Sequence, residues 1–205
     1  MILPAPMLLC EDKPSPLGRP GWFYEIKWDG YRLMAGVAKG DVQLRTRNGA
    51  LATKWFPELV AGLQRLSGGP HVIDGEVCVL DDLGRSDFNR LQDRARRRRW
   101  YEGADPVVYC AFDLLALDGR SLIGAAVEQR KAMLQALLSP APPSVLFVGD
   151  FDAEHGRQMF EHAKELKLEG LVAKRLGSPY QPGVRSTDWQ KVKVPGAVPP
   201  ERFKR

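Results

Sequence analysis

Cysteine is scarce in this 205-residue chain: Cys10, Cys78 and Cys110 form an odd, dispersed set with no Cys-x-x-Cys spacing. That points to a reducing compartment rather than a disulfide framework. Histidine is as rare, and His71, His155 and His162 lack the spacing of a zinc site, so they read as structural or surface residues. No apolar run approaches the roughly 20 residues needed to span a bilayer. The N-terminus also lacks the basic-then-apolar order of a secretion signal. Internal repeats and low-complexity segments are absent, which sets aside repeat architectures.

What is present describes a globular protein with one core. Hydrophobic residues make up 44% and charged residues 27%, the balance of a soluble domain, and the length suits a single folded unit. The formal charge of +5 and a pI near 9.2 favour a polyanionic partner.

Residues 1–21 carry Pro4, Pro6, Pro14, Pro16 and Pro20 and read as an extended lead-in that wraps the body. Trp22-Phe23-Tyr24-Glu25-Ile26 alternates as a strand with one apolar face. Residues 33–38 and 42–45 form a hairpin about Lys39-Gly40-Asp41. Phe56, Leu59, Val60, Leu63 and Leu66 recur at helical spacing over 56–66. Ser86 is suited to cap a helix with Asp87 in its first turn and Phe88, Leu91 and Ala95 on one face. Residues 71–80, 107–115 and 145–148 read as strands. Residues 126–138 and 153–166 read as helices, the first stopped by Ser139-Pro140-Ala141-Pro142-Pro143. Two further strands, 169–175 and 188–194, place Lys191 and Lys193 on one face and Val192 on the other. Mixed strands with segregated helices give an α+β class.

The chain is organised around Glu25-Ile26-Lys27-Trp28-Asp29-Gly30-Tyr31-Arg32. Lys27 ends a strand and precedes an Asp-Gly turn, so a rigid element aims its amine. A neutral lysine is a nucleophile, and neighbouring cations or desolvation favour that state. Asp29 and Arg32 flank it as an orienting carboxylate and a phosphate-binding fork; the alternative is a solvated hairpin. Asp74 and Glu76 interrupt an apolar strand, where acids are costly unless paired, or else sit in a bulge at Gly75. Arg94 and Arg96-Arg97-Arg98-Arg99 repel one another without an anion, so they read as a phosphate-binding helix end or as a solvated one.

Lys27-Trp28-Asp29-Gly30-Tyr31-Arg32 resembles the first nucleotidyltransferase motif of ATP-dependent DNA ligases, which RNA ligases and capping enzymes share. Further segments resemble the same family in its own order, so the resemblance covers about residues 7–194. Arg45-Thr46-Arg47-Asn48-Gly49 is similar to the Ser-Arg-Asn-Gly segment with Thr46 for serine, and Asp74-Gly75-Glu76 to the third motif. Phe88-Asn89-Arg90-Leu91-Gln92 is similar to a Phe-x-x-Leu-Gln segment of bacterial ligases, and Phe112-Asp113-Leu114-Leu115 to the aromatic motif. Glu169 to Arg175 and Asp188 to Val194 resemble the fourth and fifth motifs.

The resemblance implies an α+β nucleotidyltransferase fold, ATP-grasp-like, with antiparallel sheets enclosing a nucleotide cleft and helices outside. It implies a single adenylation domain over 1–205. Lys27 would be the adenylated nucleophile. Glu25, Ile26, Arg32, Arg47, Glu76, Phe112, Lys174, Lys191 and Lys193 would bind ATP, with Phe112 stacking on adenine. Glu76 and Glu169 would hold Mg²⁺ or Mn²⁺. Asp29, Arg32, Arg47 and Arg96 to Arg99 would contact nicked or broken DNA. The expected setting is a monomer in the bacterial cytoplasm, associated with the nucleoid. Full ligases continue into an OB-fold domain; residues 195–205 are too few for one, so the expectation is weak unaided sealing and a separate DNA-binding or OB-fold partner. The alternatives are a non-catalytic nucleic-acid-binding module and an RNA ligase or capping-type enzyme.

Overall fold

The computed structural model describes residues 3–11 and 15–197; the expected tail beyond residue 197 lies outside them. Alternating sequences pair into two sheets. The smaller has the order β1 (Leu8–Cys10), β10 (Arg185–Lys193), β9 (Gly170–Arg175), β2 (Trp22–Ile26). The larger runs β4 (Asp41–Thr46), β3 (Tyr31–Ala38), β5 (His71–Cys78), β6 (Val108–Leu117), β7 (Arg120–Ser121), and β8 (Val145–Phe147) also pairs with β6.

Among the described residues four helices flank the sheets: α1 (Pro57–Leu63), α2 (Phe88–Arg96), α3 (Val127–Leu137) and α4 (Ala153–Glu165). Leu59 and Leu63 of α1 and Leu91 of α2 join Leu33, Leu44, Ile73 and Leu114 in one cluster. Ala163 of α4 packs with Tyr24, Leu171 and Val192 outside the smaller sheet. Phe23 and Trp189 from that sheet meet Met34, Val72 and Leu115 of the larger one. Each such buried side chain contributes roughly 1.5–3 kcal/mol, and the third cluster is what holds the sheets face to face. The α+β architecture therefore stands as expected, with a cleft between the sheets.

Three details depart from the sequence reading. Pairing is mostly antiparallel, but β1 runs parallel to β10 and β8 parallel to β6. A crossover through α3 makes the second of these possible. The proline-rich lead-in thus contributes a strand rather than only wrapping the body. The cap of α2 is Asp87, whose carboxylate accepts from the Arg90 amide at 3.0 Å. Ser86 instead accepts from the Asp29 amide at 3.2 Å and ties down the loop after Lys27. Finally, α1 ends at Leu63, although Leu66 still packs on the core.

Two glycines of the signature segments are required by close approach. A Cβ on Gly30 would lie 2.0 Å from the Val77 carbonyl oxygen, and one on Gly75 would lie 2.6 Å from the Tyr109 ring. Tyr109 cannot retreat, because its hydroxyl bonds the Leu33 and Ile73 carbonyls at 2.9 Å each. The glycines therefore let the Lys27 loop and the β5 backbone pack closely beside the cleft.

No helix among the described residues is long and apolar enough to cross a membrane. All three cysteines are buried, with no disulfide among the described residues. His71 is buried against the Ser67 carbonyl, while His155 and His162 lie on the surface of α4.

Candidate active site

Lys27 immediately follows β2, and its amide continues the ladder by donating to the Gly170 carbonyl at 2.9 Å. Its ammonium donates to Glu169 Oε2 at 2.5 Å, just before β9. The strand thus delivers the amine to one carboxylate at the mouth of the cleft. A hollow opens beside it, with Glu25, Ile26, Phe112, Lys174 and Trp189 in its walls. Arg32 and Glu76 line it from the larger sheet.

The ring of Phe112 meets Trp189 edge to face at 6.2 Å. Lys174 lies 4.1 Å from the Trp189 ring centre and 4.9 Å from that of Phe112, close enough for cation–π attraction. Its ammonium also donates to Glu25 Oε1 at 3.0 Å. Burial depresses the Lys174 pKa below its usual value, with Glu25 opposing. Of these wall residues the sequence singled out Glu25, Ile26, Phe112 and Lys174 but not Trp189, and it gave no sign of Lys131 on α3, whose ammonium donates to the same Glu25 oxygen at 2.5 Å.

Arg32 is turned into the protein. Its Nε and Nη2 donate to Asp74 Oδ1 and Oδ2 at 3.0 and 2.6 Å, and its Nη1 to the Met7 carbonyl at 2.6 Å. Tyr180 donates to Asp74 Oδ2 at 2.6 Å. This resolves the buried acid in β5: Asp74 is fully buried and paired, so its desolvation is offset. Arg32 still borders the hollow, but as part of an internal ion pair.

A larger, open groove extends from Lys27, Glu76 and Glu169 past Arg47, Lys191 and Lys193. Arg47 sits exposed on the turn after β4, and Arg185 adds a cation that sequence reasoning did not identify. Lys191 and Lys193 share a face as expected, and both meet the Glu11 carboxylate, at 3.2 and 3.4 Å. Those lysines hold the Glu11 pKa below the usual carboxylate value.

Arg96, Arg97, Arg98 and Arg99 are exposed at the end of α2, with Arg98 over the Trp55 ring at 5.5 Å. Trp55 lines the groove, so this basic end borders it. Arg94 leaves the run: it is buried, donating to Glu58 and to the Arg99 carbonyl. Asp29 lies around the far side of Lys27, in a hollow with Ser86, Leu83 and Leu166.

Glu76 and Glu169 both face the groove. The Glu76 carboxyl is pushed up to about 7, chiefly by burial, with Lys27 and Arg32 opposing and Asp74 and Glu169 adding to the rise. Among the described residues no group of three or more His, Cys, Asp or Glu could enclose a metal ion. Two carboxylates nonetheless fit Mg²⁺, which is commonly held by one or two carboxylates while substrate phosphates and water fill its remaining positions.

Residues 9–193 match the family described as ATP dependent DNA ligase domain. The chain belongs to that family. Within this ligase-domain family it is 38% identical over 190 residues to the multifunctional non-homologous end joining protein LigD of Mycolicibacterium smegmatis, spanning 93% of this chain and 24% of that protein. It is 35% identical to the SPbeta prophage-derived DNA ligase-like protein LigB of Bacillus subtilis, spanning 92% of this chain and 66% of the relative. A solved structure of mycobacterial DNA ligase D complexed with ATP and MES superposes with a TM-score of 0.77 at 36% identity, over 93% of this chain and 60% of that one. The family shares the nucleotidyltransferase architecture described above. The chain spans about a quarter of the length of the mycobacterial end-joining relative.

Proposed function

We propose that this chain is the adenylation unit of an ATP-dependent DNA ligase acting on breaks or nicks in bacterial DNA. The observation that carries the reading is the Lys27 amine, 2.5 Å from Glu169, between an aromatic-walled hollow and a basic groove. Family membership and the end-joining relatives support DNA as the polyanion.

In this reading the hollow takes the adenosine of ATP, with its base against Phe112 and beside Glu25 and Ile26. Lys27 Nζ gives up a proton, with Glu169 placed to receive it, and attacks the α-phosphorus. The new N–P bond forms as the P–O bond to pyrophosphate breaks. Lys191 and Lys193 exchange Glu11 for phosphate oxygens and offset the charge that develops there, with Lys174 supporting them from the wall. Glu76 and Glu169 would hold Mg²⁺ or Mn²⁺, which when bound polarises phosphoryl oxygen and screens its charge. AMP then passes to a DNA 5′-phosphate, and a 3′-hydroxyl displaces it.

Arg47, Arg185 and Arg96 to Arg99 grip the sugar–phosphate backbone without reading sequence. Asp29 ties down the Lys27 loop through its amide on Ser86, and Arg32 braces the cleft wall through Asp74 rather than reaching the DNA end. The chain works as a monomer in the cytoplasm on nucleoid DNA, with an OB-fold or other DNA-binding unit closing over the groove.

The test is incubation with α-labelled ATP and divalent metal, followed by denaturation. Label retained on the protein, absent in Lys27→Ala, is the expected result. DNA binding without any covalent label would instead favour a non-catalytic module.

A further inference from the structure

Glu25 is 3% exposed and receives two ammonium groups, from Lys131 at 5% and Lys174 at 1% exposure. Lys174 lies on the neighbouring strand β9, two positions from Val172, the register partner of Glu25, and within a signature segment. Lys131 comes from α3, far away in sequence and outside every segment that resembles the ligase motifs. Its Nζ donates to Glu25 Oε1 at 2.5 Å and to the Val148 carbonyl at 2.8 Å. Two buried cations on one carboxylate are a poor way to gain stability, because apolar packing of similar volume usually serves as well. The arrangement therefore calls for a role at the cleft, which Glu25 lines.

We propose that Lys131 is a positioning residue that fixes the Glu25 carboxylate against the nucleobase and so sets the preference for ATP over GTP. This rests on the adenylation reading above. An ionised carboxylate only accepts hydrogen bonds. Held in place, it accepts from the 6-amino group of adenine and repels the 6-oxo group of guanine. Lys174 alone is a divided anchor, since it also donates to the Phe112 carbonyl and faces both aromatic rings. Lys131 holds the carboxylate from behind, through a helix that does not border the hollow.

The experiment measures covalent labelling of the whole chain with α-labelled ATP and GTP, for wild type, K131M, K131R, E25Q and the E25Q/K131M double variant. K131M should lower the ATP-over-GTP ratio of kcat/KM by roughly 10–100-fold, the worth of a hydrogen bond to a charged group. The change should come through KM for ATP, with kcat nearly unaltered. K131R should keep most of the ratio, and K131M should add little on the E25Q background, since it acts through Glu25. Purine riboside triphosphate, which lacks the 6-amino group, should be disfavoured by wild type and not by K131M. Should K131M fail to fold, K131Q is read in the same way. A folded variant that labels with an unchanged ratio, or losses that simply add, overturns the role of Lys131 alone. A wild type that takes no label from ATP overturns both this role and the adenylation reading.

Discussion

Arg32 and Asp74 meet in a two-point ion pair across neighbouring strands, with the Tyr180 hydroxyl on one of the same carboxylate oxygens. Because Asp74 is fully buried, removing one partner strands the other charge. Asp74→Asn and Arg32→Met should each lower unfolding free energy by about 3–5 kcal/mol in urea titration. A loss below about 1 kcal/mol would put the pair among solvent-screened contacts.

In the proposed reaction Lys27 is the nucleophile and Glu169, 2.5 Å away, its proton acceptor. Glu169→Gln keeps a hydrogen-bonding group beside the amine but removes the base, so single-turnover lysyl-AMP formation should fall by roughly 10²–10⁴-fold. Nucleotide binding, followed by quenching of tryptophan fluorescence, should change far less. Equal losses in both would assign Glu169 to binding instead.

Glu76 gives the unliganded chain a pH dependence. Its folded pKa of about 7 lies above the ordinary 4.5, so its contribution to stability is complete below pH 4.5 and is lost as pH rises through 7. In metal-free melts, the Tm of Glu76→Gln relative to wild type should therefore climb between pH 4.5 and 7.5. A constant difference would mean that the carboxyl ionises as readily folded as unfolded. Added Mg²⁺ should raise the wild-type Tm more at pH 8 than at pH 6, because the bound ion requires the ionised form.

Glu11 occupies the two lysines assigned to phosphate, 3.2 and 3.4 Å from their ammonium groups. An internal carboxylate must be displaced before a nucleotide phosphate can take its place. Glu11→Gln should lower KM for ATP two- to fivefold, a screened and partly exposed contact being worth under about 1 kcal/mol. A raised KM would make Glu11 a contributor to binding.

Local pattern made most of this legible. The strand before Lys27, the helices at 126–138 and 153–166, and the pairing of Lys191 with Lys193 on one face all follow from short-range periodicity. The cleft residues were legible because the signature segments keep their order. What escaped was set by contacts distant in sequence. The residues around Leu9 read as lead-in, since three residues among prolines carry no strand signal until β10 lies beside them. Arg94 looked like its neighbours, but the turn of α2 aims it at Glu58 on α1. Lys131 gave no sign, because its partner Glu25 lies 106 positions away. Ser86 and Asp87 are both good caps; which one served depended on the Asp29 amide claiming the serine.

The parallel pairing of Leu8–Cys10 with the strand that carries Lys191 and Lys193 makes the opening residues a guard rail for the smaller sheet. Clipped away by a protease, they would leave a bare ribbon of unsatisfied amides and carbonyls, the kind of edge on which a second molecule can template. Digested preparations should therefore clump before they unfold.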